Sequence, residues 1–177
     1  MRHEDPATDR ERLTRLWMAA EPAVQAYVVA AVRGFQDAED VIQQVALTAA
    51  RRFDEYDPAR PFVAWVLWLA KSRIIDHYRR RSRDRAVLSE PLLDALAAAL
   101  AARPADISAR AAALERCLEK LPPKSRRLVD LRYAEDHSMD AIAAAIGSTA
   151  GAVRVMLHRI RSVLADCIRT ELAGEAP

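Results

Sequence analysis

The chain has 177 residues, 51% apolar and 29% charged, and a formal net charge of +2. That suits one medium domain or two small ones with real cores, and bulk charge does not by itself announce a nucleic-acid binder. Only four glycines beside abundant alanine disfavour a turn-rich sheet fold, so an all-α chain is expected.

The longest uncharged apolar stretch, Phe62 to Ala70, is far short of the roughly 20 residues that span a bilayer, so no membrane insertion is expected. The opening MRHEDPATDRERL has no apolar region and carries acids, which argues against a secretory signal and for a cytoplasmic protein. Cys117 and Cys167 lack metal-ligand or paired-motif spacing and read as two reduced, buried thiols.

In chain order, a first helix is predicted from about Asp9 to Ala20, with Leu13, Leu16 and Trp17 at helical spacing. Pro22 then opens a second, which carries Val24, Tyr27, Val28 and Ala31 and ends at Gly34. Asp37 stands where an N-cap belongs, ahead of a helix over 38–53 with Val41, Ile42, Val45 and Ala49 inward. FDEYDPARP, residues 53–61, is a loop, because two prolines and three acids break any periodicity.

The next helix, FVAWVLWLAKSRIIDHYRRRSRDR, is apolar at one end and basic at the other. From Lys71 to Arg85 there are seven Lys or Arg against Asp76 and Asp84, a local charge of +5. Just upstream, Asp37, Glu39 and Asp40 stand with no base between them. Two surfaces of opposite sign suggest two different partners. Seven bases exceed what favourable interaction with a helix C-terminus requires.

Residues 86–105, alanine-rich and bracketed by Pro91 and Pro104, read as a flexible linker with room for a short helix. Periodicity resumes at Ile107, Ala111, Leu114 and Leu118, stops at Leu121-Pro122-Pro123, and returns at Leu128, Val129 and Leu131. Ser138 can cap a short helix over 139–146 that Gly147 ends in a left-handed conformation. Ser148 or Thr149 can cap a longer helix from about Ala150 to Leu172. Short helix, glycine turn and second helix make a helix-turn-helix pattern. On the second helix Val153, Leu157, Ile160 and Leu164 form the core stripe. Arg154, His158 and Arg161 cluster on a neighbouring face and can touch one ligand surface. Such helices enter the major groove with their N-terminal residues at base edges, where arginine pairs bidentately with guanine.

Two stretches carry a resemblance. DAEDVIQQVALTAARRFDEYDPARPFVAWVLWLAKSRIIDHYRRRSR is similar to region two of the extracytoplasmic-function (ECF) group of sigma-70 family RNA polymerase sigma factors. LPPKSRRLVDLRYAEDHSMDAIAAAIGSTAGAVRVMLHRIRSVLADCI resembles region four of the same group, and its LHRIRSVLADCI ending looks most like a planctomycete-type subgroup. There are departures: Ser72 stands where these factors often carry Asn, and Ala141 replaces a common acid, removing a capping box with Ser138.

The resemblance implies two small helical domains, region two over 8–85 and region four over 106–173, joined by a linker over 86–105 that threads near the RNA exit path. It implies core RNA polymerase and promoter DNA as partners, an anti-sigma factor as a third, no cofactor, no metal and no catalytic residue. The acidic helix, with Asp37, Glu39, Asp40, Gln43 and Gln44, would dock onto the polymerase. Lys71, Ser72, Arg73 and Asp76 would meet the upstream edge of the minus-ten element, with Trp68 beside them. Arg79, Arg80 and Arg83 suit phosphates. Phe53 and Tyr56 would stack on an extruded base. Ser148, Thr149, Arg154, His158 and Arg161 would read the minus-thirty-five element. The rival within DNA binding is a stand-alone helix-turn-helix regulator, which leaves the acidic and tryptophan-basic helices unassigned. Against an enzyme, the four histidines form no H-x-x-x-H or E-x-x-H ligand set, and there is no phosphate loop or nucleophile elbow.

Overall fold

The computed structural model describes residues 6–80 and 89–174, with side chains from Asp9 onward. Among the described residues every regular element is helical. The chain divides into two compact units, 1–108 and 109–177.

The first unit is built from α1 (Pro6–Ala31), α2 (Phe35–Arg51), α3 (Phe62–Arg80) and α4 (Glu90–Ala102). Its core is a single cluster: Val24, Tyr27 and Val28 from α1, Val41 and Val45 from α2, Val66, Leu67 and Ile74 from α3, and Leu93 from α4. The two helices expected on either side of Pro22 are one helix. Ala20, Ala23 and Val24 are buried on both sides of the proline, so packing carries the helix across a residue that cannot donate its backbone hydrogen bond. The cap of α2 also differs from expectation. Gly34, at φ 88°, occupies it and accepts from the Ala38 amide at 3.1 Å. Asp37 sits inside the first turn, where a carboxylate favours the positive end of the helix dipole.

The linker contains more order than its composition suggests. Its α4 puts Leu93 into the core at 2% exposure, with Leu96, Ala97, Leu100 and Ala101 packed around it. Leu93, Leu96, Ala97 and Leu100 fall at i, i+3, i+4 and i+7, an apolar stripe hidden among alanines.

The second unit holds most of α5 (Pro104–Glu119), then α6 (Pro123–Val129), a single π turn (Asp130–Ala134), α7 (Met139–Ile146) and α8 (Ala150–Gly174). The π turn closes through the Glu135 amide, which donates to the Asp130 carbonyl at 2.9 Å. Its cluster joins Leu128, Leu131, Ile142, Val153, Leu157 and Ile160. On α5 the buried positions are Ala113 and Cys117, and Leu114, expected inward, is 38% exposed.

Cys117 and Cys167 form a disulfide across 50 residues of chain, and this overturns the reading of two reduced thiols. Beside it Glu171 of α8 accepts from Arg116 at 2.8 Å and Lys120 at 2.5 Å. Those two cations hold its carboxyl below the usual range.

Candidate nucleic-acid interface

The second unit places its candidate residues as a helix-turn-helix requires. The Ser138 hydroxyl accepts from the Ala141 amide at 3.1 Å, and Gly147 ends α7 at φ 66°. Thr149, rather than Ser148, caps α8: its Oγ1 accepts from the Ala152 amide at 3.2 Å. The two helices turn by 97° across the three residues Gly147, Ser148 and Thr149. That angle is what presents one helix across the other for insertion into a groove.

Val153, Leu157 and Ile160 of α8 are buried, whereas Arg154, His158 and Arg161 are exposed together with Ser148 and Thr149. Arg161 donates to the Tyr133 hydroxyl at 3.4 Å, which ties the far end of this face to the π turn. Val155, half exposed on the same helix, lies outside the residues expected from sequence. An isolated apolar side chain there is the type that meets a thymine methyl. Its signal was available, since it falls off the core stripe one residue past Arg154.

In the first unit the aromatic residues of the 53–61 loop turn inward. Tyr56 packs edge-on to Phe62 at 5.2 Å between ring centroids and against Trp65 at 5.4 Å. Its hydroxyl donates to the Arg60 carbonyl at 2.7 Å, closing the loop on itself. Phe53 stacks on Tyr56 at 5.9 Å, with the Arg12 guanidinium 5.8 Å from its centroid. Phe53 and Tyr56 are therefore partly buried, and they shape the loop from within. Trp65 belongs to this cluster, whereas Trp68 stands out at 52% exposure. The Arg52 guanidinium, paired with Glu55, lies 5.3 Å from the Trp68 ring, close enough for a cation–π contact.

Along α3 past Trp68, Lys71, Ser72, Arg73 and Asp76 are partly buried, whereas Arg79 and Arg80 are exposed. Lys71 Nζ lies 2.6 Å from Asp94 Oδ1 of α4. Arg73 pairs with Asp76 at 3.4 Å, while its Nε is buried with no hydrogen-bond partner. Arg83 lies outside the described residues.

The two oppositely charged surfaces adjoin one another. Asp37, Asp40, Val41 and Gln44 of α2 line one cleft of about 200 Å³ with His77 and Arg80 of α3. Arg80 donates to Gln44 Oε1 at 3.4 Å. Glu39 and Gln43 point to solvent on the outer side of α2. Leu47, 56% exposed, continues the line of Asp40, Gln43 and Gln44 by one helical turn. Its place at i+7 from Asp40 is the sequence signal for it. Among the described residues no cluster of histidine, cysteine or carboxylate side chains could hold a metal ion.

Known proteins agree with this division. Residues 16–84 match the Sigma-70 region 2 family and residues 111–164 match the Sigma-70, region 4 family. The ECF RNA polymerase sigma factor SigD of Mycobacterium tuberculosis is 36% identical over 171 residues, covering 92% of this chain and 80% of the relative. The chain belongs to the ECF sigma factors. SigF of Caulobacter vibrioides, another ECF sigma factor, is 31% identical and covers 93% of this chain and 88% of its own. The solved structure of sigma factor RpoE with the anti-sigma factor NepR from Bartonella quintana covers 90% of this chain and 98% of its own at 17% identity. Its TM-score is 0.40. Within this ECF sigma factor, the acidic α2 and the aromatic-basic α3 fall inside the region 2 match. Most of the helix-turn-helix, up to Leu164, falls inside the region 4 match.

Proposed function

We propose that this ECF sigma factor binds core RNA polymerase through α2 and directs initiation at promoters read by α3 and α8. One observation carries the reading: both family regions occur in one chain, in order, each on its own compact unit. Asp40, Gln43, Gln44 and Leu47 form the docking edge, with Asp37 compensating the helix dipole. Trp68, Lys71, Ser72, Arg73 and Asp76 meet the upstream edge of the minus-ten element. Arg79, Arg80 and Arg83 hold phosphates, which supplies affinity with little sequence choice. Phe53 and Tyr56 support a base-capturing loop, and their inward packing favours a role in shaping it. Thr149, Arg154, His158 and Arg161 read the minus-thirty-five element, with Ser148 at the edge. Two weak readers held at fixed separation by a large enzyme gain by avidity what neither has alone.

The protein works in the cytoplasm with no cofactor and no catalysis of its own, and an anti-sigma factor is a further partner. The LHRIRSVLADCI ending supports a planctomycete-type subgroup. Run-off transcription on host genomic fragments, with purified protein and core polymerase, tests the main reading. Promoter-specific transcripts that need the protein support it. Failure to bind core enzyme, with specific DNA binding by the free protein, favours the stand-alone regulator instead.

A further inference from the structure

The disulfide sits at a telling place. The first half of α8 is held by the unit's apolar cluster through Val153, Leu157 and Ile160. Beyond Ile160 no described residue of α8 is fully buried, and Leu164 is the last to touch that cluster. What fastens the far half is α5: the bond from Cys117 to Cys167, flanked by Arg116 and Lys120 on Glu171. Cys117 is 1% exposed, whereas Cys167 is partly exposed. A disulfide in a thiol-reducing compartment is ordinarily transient and sensing rather than structural.

We propose that Cys117 and Cys167 are a reversible thiol–disulfide switch. Pairing clamps the distal half of the recognition helix to α5, and reduction releases it and weakens reading of upstream promoter DNA. The functional half of this inference rests on α8 being the minus-thirty-five reader, and the inferred reversibility rests on the proposed cytoplasmic location.

The exchange balances with a low-molecular-weight disulfide as oxidant. The Cys167 thiolate attacks one sulfur of that disulfide and expels the other as a thiolate. The Cys117 thiolate then attacks Cys167 Sγ in the mixed disulfide and expels the second thiolate. Two protein thiols lose two electrons and two protons, and one small disulfide becomes two thiols. The reverse course, with a dithiol reductant, opens the clamp. The small unit has a small cluster, so a cross-link weighs heavily in its order.

The test uses the full chain in buffers of graded reduced-to-oxidised glutathione ratio, with free thiols counted by alkylation and mass spectrometry. The pair is expected to change state within the series. Amides of α8 beyond Leu164 should exchange on the order of tenfold faster when reduced. With core polymerase, transcript yield from a promoter that needs its upstream element should fall about fivefold or more on reduction, the low end of ordinary coupling between sites. Cys167→Ser should behave as the reduced protein in every buffer. Should its helix content fall, the wild-type chain in the two extreme buffers decides alone. Thiols that never pair, a bond that survives the most reducing buffer, or a pair that titrates without moving either α8 exchange or transcript yield would each overturn the proposal. A pair that titrates and loosens α8, with no transcript in either state, sustains the switch and sinks the initiation reading.

Discussion

Lys71 of α3 and Asp94 of α4 lie 2.6 Å apart, so the residue proposed to meet the upstream edge of the minus-ten element is held by α4. The pair is unevenly exposed, at 21% and 62%, which limits it to about 1 kcal/mol or less. Asp94→Asn should therefore leave folding nearly intact while freeing the Lys71 ammonium. The free protein is expected to bind a single-stranded minus-ten oligonucleotide several-fold more tightly, read by fluorescence anisotropy. Unchanged affinity would show that Lys71 is not the group that Asp94 withholds.

Arg154 and Arg80 should fail differently. Arg154→Ala is expected to cost roughly 1–3 kcal/mol at one upstream base pair and relax preference there. Arg80→Ala should weaken all promoters alike and reduce the salt slope by about one counterion. Competition binding over a promoter library, at two salt concentrations, separates the two patterns.

Gly147 tests the turn itself. Its φ of 66° strains any side chain, but a Cβ would meet nothing within 4 Å. Gly147→Ala should cost about 1–2 kcal/mol from backbone conformation alone, and Gly147→Asn less. Thermal unfolding of the two variants gives the comparison.

Tyr27 carries a pH prediction. Its ring is fully buried and its hydroxyl has no hydrogen-bond partner; burial, then the Asp94 carboxylate, pushes its pKa up to about 12. The unfolded chain releases this proton near 10.0, before the folded one does. Stability is thus fully present below pH 10 and falls as pH rises from about 10 towards 12. Tyr27→Phe should flatten that fall in denaturant titrations. At neutral pH it should change stability by no more than about 1 kcal/mol, because the hydroxyl makes no bond to lose.

What the sequence made legible was local chemistry. Ser138, Gly147 and Thr149 each act on their own few neighbours, so caps and turn could be read from residue type, and the stripe of Val153, Leu157 and Ile160 followed from period alone. Pro22 misled because its local preference was overridden by the burial of Ala23 and Val24. Leu93 was overlooked because alanine-rich composition reads as pliant when the few large residues are not followed by phase. The cysteine pair lay out of reach for a different reason: 50 residues separate the partners, and spacing has no power over pairing at that distance. The meeting of Gln44 with Arg80 was invisible for the same reason.

The way α4 is held has a kinetic consequence. Leu93 is its one fully buried side chain among the described residues, and the rest of its contact is with small or half-open groups. Burying that leucine contributes roughly 1.5–3 kcal/mol, and Leu96, Ala97, Leu100, Ala101 and the Lys71–Asp94 pair add smaller amounts. With one such side chain against several on each of α1, α2 and α3, α4 is the helix of the first unit expected to detach first.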